Sequence, residues 1–194
     1  MDFDVVVIGA GPGGYPAAIR AAQLGRRVAV VEKEALGGTC LNWGCIPTKT
    51  LIASAECYRH AREGAALGVD CDRVSFDYAR MVARKGEVVG KLSGGIRQLL
   101  KANGVELIPG TARFEGPGRL SVRDAAGAVR WIQAGQTIIA TGSVSAMPGF
   151  LPKHPRVIES RAFLDRTALP ASLVVLGGGV IGCEFACLAA QLGT

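Results

Sequence analysis

The chain of 194 residues has little of what several common functions require. Its only histidines, His60 and His154, lie in no cluster with the spacing of metal ligands, which argues against a metal site. Lysine and arginine give a net charge of +6, but they are scattered along the chain. No basic stripe with interleaved aromatic residues occurs, so nucleic-acid binding is disfavoured. No low-complexity segment is present.

Long apolar runs are also missing. The run Val5–Ile8 is far too short to span a bilayer, and the acidic start Met1–Asp4 does not resemble a basic export signal. Six cysteines without such a signal argue against a secreted disulfide framework, and we expect a cytoplasmic protein. Four of them are expected to be small buried or neutral residues: Cys57, Cys71, Cys183 and Cys187.

The remaining two cysteines lie in the most informative segment of the chain. Residues 37–49 read GGTCLNWGCIPTK, with Cys40 and Cys45 five positions apart. A disulfide between them would close a very small loop and would be a poor structural staple, because so short a loop removes little entropy from the unfolded chain. A strained and accessible disulfide is instead easily reduced. The segment therefore indicates electron transfer through sulfur.

The first residues predict a β-α-β unit that binds a dinucleotide. The strand Val5–Ile8 is followed by Gly9-x-Gly11-x-x-Gly14, a helix over 17–24 and a second strand over 26–31. Glycines at this spacing permit a tight turn, close approach of a pyrophosphate and close helix packing. Glu32, at the end of the second strand, is placed to bind ribose hydroxyls. A plain tight turn is the alternative, and Pro16 is expected to distort the start of the helix.

The same pattern returns near the end of the chain. A strand over 173–176, the turn Gly177-x-Gly179-x-x-Gly182 and a helix over 183–192 are predicted. No second strand follows before Thr194, so a structural glycine turn stays open as an alternative. Because such a unit cannot complete a sheet, we expect an N-terminal fragment of a longer protein. Two such turns predict two dinucleotides.

Between these units the sequence predicts two helices and several short strands. A helix follows Lys49 to about Arg62, and a longer one covers 76–103, weakened by four internal glycines. The predicted strands are 105–108, 111–114, 120–123, 129–132 and, as a separate element, 136–140.

Taken together, the redox segment, both glycine turns and Ala140-Thr141-Gly142 resemble the pyridine nucleotide–disulfide oxidoreductase family of flavoproteins. The resemblance covers essentially the whole chain. Within the family the redox segment is most similar to that of the dihydrolipoamide dehydrogenase branch, with Thr48 in place of the commoner serine. The implied fold is α/β: a truncated FAD/NAD(P)-binding three-layer fold with a central parallel sheet and a small antiparallel β-meander. The implied divisions are an FAD-binding domain over 1–143, a connection over 144–171 and the start of an NAD-binding domain over 172–194.

The resemblance also implies roles for individual residues. Cys40 is the interchange thiol that meets the substrate disulfide, and Cys45 faces the flavin as the charge-transfer thiolate. Lys49 lies beside the flavin and pairs with Glu184 from the nicotinamide domain. The implied FAD-binding residues are Gly9, Gly11, Gly14, Glu32, Thr39, Cys40, Lys49, Ala112, Thr141, Gly142 and Ser143. The implied NAD-binding residues are Gly177, Gly179, Gly182 and Glu184. Trp43 is expected to pack the loop between the cysteines.

By this resemblance, electrons pass from a dithiol through the Cys40–Cys45 disulfide and FAD to NAD. The implied substrate is a lipoyl group on a 2-oxo acid dehydrogenase complex, and the full-length protein is implied to be a homodimer. The 194-residue chain alone is expected to be inactive, because the family's acid–base pair lies in an absent C-terminal domain. One alternative is an NAD(P)H–disulfide reductase of the glutathione or mercuric type. Such enzymes mostly use NADPH, whereas the retained Gly182 favours NAD. The other alternative is a non-catalytic flavin-binding module.

Overall fold

The computed structural model describes residues 1–194 and has an α/β fold. The strands are β1 Phe3–Ile8, β2 Val28–Glu32, β3 Glu106–Pro109, β4 Thr111–Gly116, β5 Arg119–Arg123 and β6 Val129–Ile139. The helices are α1 Tyr15–Gln23, α2 Gly38–Trp43, α3 Cys45–Glu63, α4 Tyr78–Ala102, α5 Ser160–Leu164 and α6 Val180–Gln191, with a 3₁₀ turn at Gly64–Leu67. None of these helices combines the length and the hydropathy that a membrane span requires.

The six strands form one mixed sheet in the order β3-β2-β1-β6-β5-β4. Strands β3, β2 and β1 are parallel to one another, and β4, β5 and the first half of β6 form an antiparallel meander. The valines of β1 and β2 are almost fully buried, as expected for parallel strands that are covered on both faces. The predicted central parallel sheet and small meander are confirmed.

Strand β6 corrects one prediction, because residues 129–139 form a single strand rather than two. Its first half pairs antiparallel with β5 from Val129 to Gln133, and its second half pairs parallel with β1 from Ala134 to Ile139. The change of partner happens without a turn. A Cβ at Gly135 would lie 2.9 Å from the carbonyl oxygen of Asp4, so the glycine lets the two strands approach. Gly135, which in the sequence resembles a break between two strands, is therefore a position inside one strand at which a neighbouring strand comes close.

The chain divides into two compact units, of which the first comprises residues 1–42 and 90–144 and contains the whole sheet. Its core lies between the parallel strands and the meander. The residues of this core are Phe3, Val6, Ala29, Val31, Ile108, Leu120, Val122, Ile132 and Ala134. The inward-facing positions of β5 and β6 alternate with exposed ones, which is the pattern of a sheet with one covered face.

The second unit comprises residues 43–89 and 145–194 and is helical. Leu51 of α3 and Leu188 of α6 are fully buried in its core. The rings of Phe163 and Phe185 pack with their centroids 4.8 Å apart. The Tyr78 hydroxyl is buried without a hydrogen-bond partner, and this burial raises the pKa of Tyr78.

Helix α1 begins at Tyr15, so Pro16 lies in its first turn, where the missing N–H has no acceptor within the helix. Helix α4 runs unbroken for 25 residues in spite of its four glycines, in agreement with the long helix predicted over 76–103.

Residues 173–176 do not form the predicted strand. Val174 is 85% and Leu176 68% exposed, and no part of the chain pairs with this segment. A strand requires a hydrogen-bonded neighbour, and β-forming residues without one stay irregular. The apolar sequence of the segment indicates a preference for strand structure, but a strand forms only where another strand is present to pair with it.

The four cysteines expected to be buried or neutral are all exposed free thiols: Cys57, Cys71, Cys183 and Cys187. Cys183 and Cys187 lie on α6 but outside the face that carries Phe185 and Leu188 into the core. Helical position, rather than residue type, decides their exposure.

An ion pair joins Asp4, near the start of β1, to Arg27, the residue directly before β2. The carboxylate of Asp4 accepts hydrogen bonds from the Arg27 backbone N–H at 2.8 Å and from Arg27 Nη2 at 3.0 Å. These bonds lower the pKa of Asp4 and raise the pKa of Arg27. A lowered carboxyl pKa stabilises the folded state at neutral pH.

Replacing Leu120 with alanine should lower the free energy of unfolding by about 2–5 kcal/mol, because this fully buried side chain leaves a cavity. The matched control is Leu99→Ala in the same unit, at a position that is 51% exposed, with an expected change of about 0.5 kcal/mol. Urea unfolding followed by circular dichroism measures both. Equal losses for the two variants would contradict the assigned core.

Replacing Asp4 with asparagine should reduce stability at pH 7 but not at pH 2. The stabilisation from a lowered carboxyl pKa is complete above the ordinary value of 3.8 and is lost as the pH falls through the folded-state value. Thermal melting of both proteins between pH 7 and pH 2 measures the difference. Asp72→Asn, at an exposed position, controls for the loss of one negative charge, and a difference for Asp4→Asn that is constant with pH would contradict the ion pair.

Candidate functional site

The turn between β1 and α1 is closed by two glycines that no other residue can replace without a shift of the backbone. Gly9 has φ +103°, and a Cβ there would lie 2.2 Å from the carbonyl oxygen of Ala140. A Cβ at Gly14 would lie 1.9 Å from the carbonyl oxygen of Gly9. The residue that follows β6 and the start of α1 therefore both pack against the turn. The first and third positions of the pattern therefore serve the tight turn and the helix packing.

The middle glycine is different, because a Cβ there would make only an ordinary van der Waals contact. A Cβ at Gly11 would meet only the Cα of Gly38, at 3.6 Å. Helix α1 follows with no side-chain cap and no acidic residue in its first turn. The Tyr15 N–H is bonded to the Gly11 carbonyl and Pro16 has no N–H, so the positive end of the helix dipole, rather than a set of free donors, is what suits a phosphate here. The turn thus fits the pyrophosphate of a dinucleotide.

Glu32 is held in place at the end of β2. Its Oε2 accepts a hydrogen bond from the Ala10 N–H, and its Oε1 accepts one from the Glu34 N–H, each at 2.8 Å. The first of these bonds fixes the carboxylate beside the glycine turn. Each carboxylate oxygen has a further lone pair that can accept a hydrogen bond from a hydroxyl. The arrangement fits recognition of a ribose by the predicted residue.

The redox segment is packed directly against this turn. The Gly37 N–H donates to the Ala10 carbonyl at 2.8 Å, and a Cβ at Gly38 would lie 2.7 Å from the Cα of Gly11. Thr39 and Cys40 follow in α2, which begins at Gly38. Sequence reasoning gave no separate role to Gly37 and Gly38, although two adjacent glycines before the first cysteine were a visible signal.

The structure contains the disulfide bond between Cys40 and Cys45. Cys45 is the first residue of the 19-residue helix α3, which Gly44 precedes as the N-cap without a side-chain hydrogen bond. No acidic residue lies in the first turn of α3. The sulfur of Cys45 is therefore at a helix N-terminus, where the helix dipole favours a thiolate. Cys40 is the third residue of α2, a helix of only six residues, so fewer peptide dipoles act on its sulfur.

Asn42 is a structural residue of the segment that sequence reasoning missed. Its Nδ2 donates to the carbonyls of Leu36 and Gly38, each at 2.9 Å, and so fixes α2 to the glycines before it. Thr48 donates from its hydroxyl to the Gly44 carbonyl at 2.7 Å, a bond that a serine could also make. The substitution of threonine for the commoner serine therefore keeps the local hydrogen bond.

Lys49 and Glu184 form an ion pair, with Lys49 Nζ 2.5 Å from Glu184 Oε1. Lys49 lies four residues after Cys45 on the continuous helix α3, so both are on one helix face in spite of Pro47. The lysine side chain is 58% exposed, and an exposed pair of this kind adds little stability. Its geometry orients the ammonium group rather than holding the fold together.

The second glycine turn repeats part of the geometry of the first. Gly177 has φ +110°, and a Cβ at Gly182 would lie 2.2 Å from the carbonyl oxygen of Gly177, as one at Gly14 would from Gly9. No atom lies within 4 Å of a Cβ at Gly177 or Gly179, so the contact that Gly9 makes with Ala140 has no counterpart here. Helix α6 has no side-chain cap. The shared tight turn before an uncapped helix favours a nucleotide site over a purely structural turn.

The other predicted residues have varied surroundings. Ala112 lies in the meander, paired with Val122. Thr141, Gly142 and Ser143 form exposed coil directly after β6, and the Cα of Thr141 lies 3.3 Å from a Cβ at Gly9. Trp43 is stacked by the guanidinium of Arg161, 3.8 Å from the ring centroid, which agrees with its packing role.

Comparisons with known proteins agree with this geometry. The family model for pyridine nucleotide-disulphide oxidoreductases matches residues 3–194. The dihydrolipoyl dehydrogenase of Chlorobaculum tepidum is 45% identical over 193 residues, which are 99% of this chain and 41% of that protein. The dihydrolipoyl dehydrogenase of Halobacterium salinarum is 46% identical over 98% of this chain and 40% of that protein.

Among solved structures, the Cu(II) complex of the HOCl-induced flavoprotein disulfide reductase RclA from Escherichia coli matches with a TM-score of 0.86 and 32% identity. The match covers 100% of this chain and 41% of that one. The chain thus spans less than half the length of the relatives it matches. The glycine turns and the disulfide segment agree with the comparisons, and the chain belongs to the pyridine nucleotide-disulphide oxidoreductase family.

Proposed function

We propose that this chain carries the FAD-binding and disulfide-bearing part of a dihydrolipoyl dehydrogenase. The observation that carries the proposal is the direct packing of the redox segment on the glycine turn, through Gly38 against Gly11 and Gly37 bonded to Ala10. A reducible disulfide is thereby tied to a dinucleotide site. Relatives with 45% and 46% identity, both dihydrolipoyl dehydrogenases, favour this branch over the glutathione or mercuric reductases.

The residues for FAD are those around the first turn. Gly9, Gly11 and Gly14 leave room for the pyrophosphate, and Glu32 accepts from the ribose. We assign Thr39, Cys40 and Lys49 to the flavin end, and Ala112, Thr141, Gly142 and Ser143 to further contacts with the cofactor. When bound, FAD supplies a two-electron acceptor between the dithiol and NAD.

The disulfide reacts by thiol exchange. One thiolate of dihydrolipoamide attacks the Cys40 sulfur, a mixed disulfide forms, and the Cys40–Cys45 bond breaks to release the Cys45 thiolate. The second substrate thiolate then attacks the mixed disulfide on the substrate sulfur, and Cys40 leaves as a thiolate that takes a proton. The substrate is oxidised to its cyclic disulfide, and the protein disulfide is reduced by two electrons.

The positions of the two sulfurs explain this division of roles. Cys45 begins α3, and Lys49 lies one turn later on the same helix, so both the dipole and a cation stabilise negative charge on the Cys45 sulfur. A stabilised thiolate is a good leaving group, which directs attack to Cys40. Glu184 holds the ammonium of Lys49 through the ion pair.

The remaining assignments are proposals that rest on the family. The second turn, with Gly177, Gly179, Gly182 and Glu184, is assigned to NAD, and the domain divisions 1–143, 144–171 and 172–194 follow from it. A lipoyl group of a 2-oxo acid dehydrogenase complex is the proposed substrate. The proposed assembly of the full-length protein is a homodimer.

Replacing Gly11 with alanine should weaken FAD binding on the order of tenfold or more while leaving thermal stability nearly unchanged. The new Cβ meets only Gly38 at 3.6 Å but occupies the space for the pyrophosphate. Gly14→Ala is the contrasting variant, because its Cβ would lie 1.9 Å from a carbonyl oxygen and should destabilise the fold itself. Flavin fluorescence quenching and thermal melting measure the two effects. Unchanged FAD binding by a folded Gly11→Ala protein would contradict the site.

The Cys45 thiolate should react with iodoacetamide at pH 6.5 about tenfold faster than the Cys40 thiol, because Cys45 is at a helix N-terminus. Cys40→Ser and Cys45→Ser, compared in a background in which the four exposed free cysteines are serine, isolate each sulfur. Mass spectrometry follows the alkylation. In the parent background, dihydrolipoamide should release two titratable thiols. Faster alkylation of Cys40 than of Cys45 would contradict the assigned roles.

A further inference from the structure

The outward face of the meander carries a surface that the redox site does not use. Leu120, Val122 and Ile132 point inward to the core, so the alternate residues of β5 and β6 face away from it. Ser121 is the centre of this face, paired with Trp131 of β6 and with Arg113 of β4.

Trp131 is 52% exposed at this centre. The guanidinium of Arg119 lies over its ring, 4.4 Å from the centroid. A half-exposed tryptophan stacked with arginine is the residue combination that dominates binding energy at protein interfaces. In a chain with only two tryptophans, this position is a strong candidate for a contact.

Positive charge surrounds the tryptophan. Arg113, Arg119 and Arg123 are exposed and share the face of Ser121, since Arg119 and Arg123 lie two residues from it on β5 and Arg113 pairs with it. Glu115 is a carboxylate beside these arginines: its Oε1 accepts a hydrogen bond from the Ser121 hydroxyl at 2.7 Å and lies 3.8 Å from Arg113 Nε. One carboxylate does not neutralise three guanidinium groups, so the face has a net positive charge. A planar guanidinium group can form two parallel hydrogen bonds with a carboxylate.

The arginines also set a spacing. Arg119 and Arg123 are four residues apart on β5, which places their Cα atoms about 13 Å apart along the strand, with Ser121 and Trp131 between them. An extended peptide has the same rise, so carboxylates at positions i and i+4 would reach both arginines. A side chain at i+2 would then lie over Trp131.

We propose that the outward face of the meander is a docking surface for an acidic, extended protein segment with the pattern acid-x-apolar-x-acid. The arginines bind the two carboxylates, and Trp131 packs against the central apolar side chain. Single-stranded nucleic acid fits this face less well, because it contains only one exposed aromatic ring for stacking and Glu115 lies among the arginines.

Fluorescence anisotropy with the 194-residue chain tests the proposal. The probe is a labelled nonapeptide, Gly-Ser-Glu-Thr-Leu-Thr-Glu-Ser-Gly, and its control replaces both glutamates with glutamine. We expect saturable binding of the acidic probe that weakens with salt. The double variant Arg119→Glu/Arg123→Glu should weaken it at least tenfold, whereas Arg97→Glu, at an exposed position on α4, should not.

Thermal melting confirms that the variants are folded. The docking surface is wrong if the acidic probe does not bind saturably, or if the glutamine peptide binds equally well. It is also wrong if Arg97→Glu weakens binding as much as the double variant. Tighter binding of a labelled oligothymidylate, lost in the same double variant, would assign the face to nucleic acid instead and overturn the proposal.

Discussion

The close approach of backbone to backbone at the first glycine turn is the contact on which the rest of the site depends. Gly9, Gly14 and Gly38 each lie where a Cβ would be less than 3 Å from a backbone atom of another segment. The turn therefore gathers the end of β6, the start of α1 and the approach to the disulfide at one place. Steric exclusion, rather than a strong attraction, determines this arrangement.

Two helix N-termini then share the chemistry of the redox region. That of α1 has no side-chain cap and lies beside an open glycine, which suits a bound phosphate. That of α3 begins with a cysteine, which places a sulfur where negative charge is favoured. In the proposed function, the same physical property of a helix would stabilise a bound phosphate in one case and a leaving thiolate in the other.

Local patterns predicted this molecule well, and long-range pairings did not follow from them. The β-α-β unit, the position of Glu32 and the meander could be predicted because each depends on neighbours in sequence. The pair of Lys49 with Glu184, separated by 135 residues, was accessible only through the family resemblance. The prediction of a strand over 173–176 was wrong, because a strand needs a neighbour to pair with and no other segment pairs with this one. Burial, one of the two alternatives expected for the cysteines of α6, was wrong, because burial depends on which helix face the core covers.

Strand β6 has a consequence for how the chain can tolerate changes in length. It is paired over its whole run, first with β5 and then with β1, and Ala140 follows it directly into contact with Gly9. One added residue would move every later side chain to the opposite face and displace Gly135 from Asp4. The hairpin over 124–128 is free of this constraint, since its ends are joined by hydrogen bonds and its residues are exposed. Insertions are therefore compatible with the tip of the meander, whereas the strand that leads from it to the nucleotide turn has a fixed length.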